Sequence, residues 1–133
     1  MRLITLCFLL AIIASSAIAQ TRPRTKVYFF NSAQGGIRGP VILQNPSDKD
    51  NPIKLENKTC VSVELVTDSL SLMVNGGTQS IYFAPGQNYY YIVYEDYFPS
   101  NLVLEVTERV FWITATLNGS KKLQQYTLGK SGN

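Results

Sequence analysis

The 133-residue sequence contains no histidine. That absence removes the usual general base, the commonest metal ligand and every Ser-His or Cys-His nucleophile pair. Cysteine is scarce, with only Cys7 and Cys60. A zinc site built from one cysteine and carboxylates is a poor prospect. Charge is also sparse: 16% of residues are charged, and the net formal charge is +3. The basic residues are scattered apart from Arg22, Arg24 and Lys26 near one end and Lys121-Lys122 near the other. Neither cluster pairs with a recognition helix or an aromatic-basic pattern, so nucleic acid is excluded as the expected partner. No convincing helical periodicity follows the first 19 residues, and no later segment reaches membrane-spanning length.

The first 19 residues read as a signal peptide. Arg2 supplies a short positive start, residues 3–14 form an apolar run, and Ala17-Ile18-Ala19 fits the small-x-small pattern before a cleavage site. Cleavage after Ala19 leaves Gln20 first and lowers the net charge to +2 by removing Arg2. Gln20 stands where a bacterial lipid anchor needs cysteine. We therefore expect a soluble exported protein, periplasmic or extracellular. Only Cys60 survives cleavage, so no intramolecular disulfide can form. Three readings of Cys60 stand: an inert small hydrophobe, an intermolecular bridge or a reactive thiol.

What is present is a regular strand pattern. Residues 69–94 (SLSLMVNGGTQSIYFAPGQNYYYIVY) read as three strands joined by two turns. Asn75, Gly76 and Gly77 tolerate the positive φ of a tight hairpin. Pro85-Gly86 suits the two central positions of a type II turn. Leu70, Leu72 and Val74 share one face, as do Ile81 and Phe83. Tyr89, Tyr91 and Val93 oppose Tyr90, Ile92 and Tyr94, a period of two.

The same alternation recurs along the chain. Residues 20–25 are a polar lead-in, expected to be flexible. Residues 26–31 (KVYFFN) are apolar on both faces. After a glycine-rich loop, residues 40–44 form a short strand. Residues 45–51 (NPSDKDN) read as a polar turn. Asp48, Asp50 and Asn51 there lack the glycine and late glutamate of a calcium loop. Residues 53–55 are a brief strand, and residues 59–67 set Val61, Val63 and Leu65 against Cys60, Ser62 and Glu64. Residues 102–107 are another strand, Glu108-Arg109 a turn, and residues 110–117 (VFWITATL) a strand apolar on both faces. Asn118-Gly119 is a hairpin signal, residues 123–128 close the sheet, and residues 129–133 fray. The expectation is an all-β domain over residues 26–128: one mostly antiparallel β-sandwich of about 8–9 strands, with a barrel as the alternative.

Several of these motifs together resemble a bacterial family known as domain of unknown function 2846. They are the aromatic first strand VYFFNS, the loop QGGIRG, the step KLEN, and the tyrosine-rich strand behind a Pro-Gly turn, PGQNYYYIV. Pro85, Gly86, Tyr89, Tyr90 and Tyr91 stand in the corresponding places, and the likeness spans roughly residues 26–106. It implies a small exported β-sandwich of bacterial origin. It carries over no activity and no catalytic residues, and this chain lacks the lipid-anchor cysteine of many members. Under a bacterial origin, the acceptor-like triplets at Asn57 and Asn118 carry no glycan.

We expect no catalysis and no cofactor. Glu95 and Asp96 are adjacent, so in extended chain they point apart. Glu105 and Glu108 flank the expected turn and read as solvated. The aromatic residues leave two readings open. Tyr90, Tyr94, Tyr97, Phe98 and Trp112 form a strip contacting a glycan or an envelope protein, or else both faces of the tyrosine strand are covered. The function expected is a non-catalytic envelope accessory or interaction module, with a carbohydrate-binding domain as the alternative.

Overall fold

The structure is a computed structural model that describes residues 23–32, 41–46, 48–74, 76–94 and 102–128. The signal segment, the glycine-rich loop, Asn75, the Glu95-Asp96 pair, Tyr97, Phe98 and the last five residues lie outside these.

Among the described residues, nine strands form two packed sheets, as the sequence pattern predicts. They are β1 (Thr25–Asn31), β2 (Val41–Asn45), β3 (Asp48–Leu55), β4 (Cys60–Leu65), β5 (Ser69–Val74), β6 (Gly77–Tyr82), β7 (Asn88–Tyr94), β8 (Leu102–Glu105) and β9 (Gln124–Leu128). One sheet has the order β8-β7-β1-β4-β9, the other β3-β2-β5-β6. The pairings β1–β7 and β4–β9 are parallel and the rest antiparallel. No helix among the described residues is long and apolar enough to cross a membrane.

Between the sheets lies the main core. Val27 and Phe29 of β1, Val61, Val63 and Leu65 of β4, and Tyr91 and Val93 of β7 meet Leu43, Ile53, Leu70 and Leu72 from the other sheet. The alternating residues of β1 and β7 point the opposite way, where Phe30, Tyr90 and Ile92 are buried in a second core with Cys60, Phe111 and Ala115. Parallel central strands covered on both faces need apolar residues on both. That accounts for the unbroken runs KVYFFN and NYYYIVY.

The second core exposes an error in the sequence reading. Residues 110–117 are not a strand. They belong to helix α1 (Glu108–Leu117), which lies on the outer face of the five-stranded sheet. Glu108 and Arg109 are its first residues, not a turn. Asn118-Gly119 ends the helix instead of turning a hairpin. Gly119 has φ 67°, its N–H donates to the Thr116 carbonyl, and the Ser120 N–H donates to the Ala115 carbonyl. This is the Schellman arrangement, in which a left-handed residue lets the chain satisfy the last carbonyls. The β-branched and aromatic content of VFWITATL favours strand on propensity alone. Tertiary packing of Phe111 and Ala115, four residues apart and therefore on one helical face, outweighs that preference.

The polar segment at residues 45–51 is also corrected. β3 already begins at Asp48, paired with Asn45. β3 is a sheet edge, hydrogen-bonded on one side only, so it accommodates Lys49, Asp50 and Pro52.

The Pro-Gly turn has a larger role than joining two strands. β6 belongs to one sheet and β7 to the other, so residues 83–87 carry the chain between sheets. Thr25 clamps this passage: its Oγ1 donates to the Ala84 carbonyl and accepts from the Gly86 N–H, each at 3.2 Å. Tyr89 holds the other side, its hydroxyl accepting from the Ala84 N–H at 3.0 Å. β1 thus starts at Thr25, one residue before the expected boundary.

Candidate functional site

α1 is the element that gives the molecule a surface other than a sheet. Thr107 caps its start, the side-chain oxygen accepting from the Val110 N–H at 3.4 Å. Phe111 is fully buried beneath the helix, against Tyr28 and Tyr90. Tyr28 and Tyr90 stack at 4.8 Å, and Trp112 sets its edge against both Tyr28 (5.9 Å) and Phe111 (5.0 Å).

Of the candidate aromatic strip, Tyr97 and Phe98 lie outside the described residues, and the described members Tyr90, Tyr94 and Trp112 do not form an exposed row. Tyr90 is only 8% exposed, and its ring lies in the second core. Tyr94 is half-buried against the same core. Trp112 is partly exposed, but on a helix and not on a strand. The two-sided coverage of β7 is the reading that fits.

The carboxylates near this region serve the tyrosines. The Tyr91 hydroxyl donates to Glu105 Oε2 at 3.1 Å. Burial pushes the Tyr90 phenol up to about 12, and the neighbouring Glu108 carboxylate adds to the rise. Burial, then the charge of Glu105, raises Tyr91 as well. Burial favours the neutral form of both phenols. Cys60 is buried in the second core, which pushes its thiol up to about 11. A buried thiol at that value is a poor nucleophile, which favours the inert reading. Among the described residues, no group of three or more His, Cys, Asp or Glu side chains could hold a metal ion.

What sequence reasoning missed is the outer side of α1. Val110 is 45% exposed, Ile113 48% and Leu117 82%. At spacings of three and four they fall within about 60° of one another around the helix axis. This i, i+3, i+7 spacing, starting behind a Thr cap and an acidic residue, was the available signal. Arg109 stands in the first turn, and Lys121 and Lys122 follow the C-cap. The stripe is thus apolar along its length with basic residues at both ends.

Comparison with protein-family profiles, with curated proteins and with solved structures returns no match.

Proposed function

We propose that the protein is a non-catalytic, exported interaction module of the bacterial envelope, related to the domain of unknown function 2846 family. Its contact surface is the outer side of α1. The observation that carries this reading is the stripe Val110, Ile113 and Leu117, left in water by a helix whose other side seals the core. Isolated exposed apolar residues are ordinary, but an aligned row on a surface helix fits helix-in-groove recognition. The partner that fits is a protein with an apolar groove and carboxylates at its ends, complementing Arg109 and Lys122, with Lys121 already paired to Glu56 at 3.9 Å. A glycan site built from Tyr90, Tyr94 and Trp112 has less support, because Tyr90 and Tyr94 pack into the second core.

The test is site-specific photo-crosslinking in the native envelope from Ile113, with Lys54 on the far sheet as control. An adduct specific to Ile113 and lost in Leu117→Glu is expected. Binding of the isolated partner should weaken at least ten-fold in that variant. Equal adducts from both positions, or turnover of a substrate abolished by Glu105→Gln, would overturn the reading.

A further inference from the structure

Among the described residues, the two sheets have four free edges: β8, β9, β3 and β6. A free edge presents unpaired N–H and C=O groups and invites another strand unless it is blocked. Three of the edges carry a block. β3 contains Lys49, Asp50, Pro52 and Lys54. β8 is four residues long and ends at Glu105. β9 enters directly behind Lys121 and Lys122. β6 differs: its six residues GTQSIY include no charge and no proline, and no charged residue lies within residues 74–87.

The geometry of β6 fixes which groups face outward. The Phe83 N–H donates to the Asp68 carbonyl at 2.8 Å, so these two are a hydrogen-bonded pair. Such pairs alternate in an antiparallel ladder. Leu70–Ile81, Leu72–Gln79 and Val74–Gly77 are therefore the bonded pairs of the β5–β6 hairpin. The backbone groups of Thr78, Ser80 and Tyr82 consequently point away from β5 to the open edge. Tyr82 is 78% exposed, an aromatic ring with little cover on this chain.

We propose that β6 pairs with β6 of a second copy of this chain. The two strands run antiparallel about a two-fold axis at Ser80 and join two four-stranded sheets into one of eight. Centring on Ser80 is the one register that uses all three outward residues: Ser80 faces Ser80, and Thr78 faces Tyr82 of the second copy. Each facing pair exchanges both of its backbone hydrogen bonds. The Tyr82 ring, which faces only Ser69 across its own hairpin, then gains Thr78 of the second copy as a second cross-strand neighbour. The uncharged edge lets two net-positive copies approach without like charges meeting at the contact. A single strand pairing falls below the roughly 1,000 Å² of a stable interface, so the dimer is weak and concentration-dependent.

Sedimentation of the purified protein from about 10 μM to about 1 mM should show reversible dimerisation. Ser80→Lys sets two cations face to face and should weaken it at least ten-fold. Ser80→Pro removes an N–H that the hairpin does not use and should do the same, with an unchanged circular dichroism spectrum. Under mild oxidation Ser80→Cys should form a disulfide-linked dimer at least ten-fold faster than Thr78→Cys, because facing Cα atoms are within disulfide reach only at the axis. A protein monomeric throughout this range, an association untouched by Ser80→Lys, or equal crosslinking of the two cysteine variants would overturn the proposal.

Discussion

Gly86 shows how much one residue holds. Its φ is 77°, the value a type II turn demands at that position, and an added Cβ would lie 2.9 Å from the Pro23 side chain. Gly86→Ala therefore meets a left-handed backbone and a clash together. We predict a loss of at least about 1–2 kcal/mol, read as a lower urea midpoint. The buried hydroxyls and thiol make a second prediction. Tyr90, Tyr91 and Cys60 all have raised values in the folded protein. Their stabilisation is complete below the unfolded values, near 9 for the thiol and 10 for the phenols, and is lost as pH rises through the folded ones. Urea midpoints should be flat up to about pH 8.5 and fall steadily from about pH 9 to 12. Tyr90→Phe should flatten part of that fall. A midpoint unchanged at pH 11 would show these groups to be less enclosed than described.

At the scale of elements, α1 and β7 cover each other. Phe111 fills the space above Tyr28 and Tyr90, so Phe111→Ala should cost about 3–5 kcal/mol. Thr107→Ala removes only the cap and should cost about 1 kcal/mol. Chemical denaturation of the two variants checks both, and equal losses would mean that the helix is held by its ends and not by its packing. The strands were the legible part of the sequence. Leu70/Leu72 and Val61/Val63/Leu65 alternate because one face of each strand is buried, and β1 and β7 are apolar throughout because both faces are. The helix was hidden because Val110, Phe111, Trp112 and Ile113 are strand formers, and because Asn-Gly serves hairpins and helix ends alike. Lys49, Asp50 and Pro52 disguised β3 for a related reason: an edge strand tolerates what an inner one does not. The candidate site was half visible. Tyr90 and Trp112 were singled out, but one is enclosed by a helix that local pattern did not reveal, and the exposed row 110/113/117 exists only once that helix does.

For the whole molecule, the layers divide the work. The two sheets enclose the main core, and α1 covers the other face of the five-stranded sheet while turning its own apolar stripe to solvent. Under the proposed function, stability and recognition sit on opposite sides of one helix, so they can be separated by mutation. Leu117→Glu should leave the thermal midpoint within about 2 °C of wild type, since a surface change is worth about 0.5 kcal/mol or less. The most direct test of the account is the affinity of that variant for the partner captured from Ile113, measured by titration calorimetry beside wild type. We predict a folded protein whose binding is weakened at least ten-fold. A folded Leu117→Glu protein that binds as tightly as wild type would contradict the assignment of α1 as the contact surface.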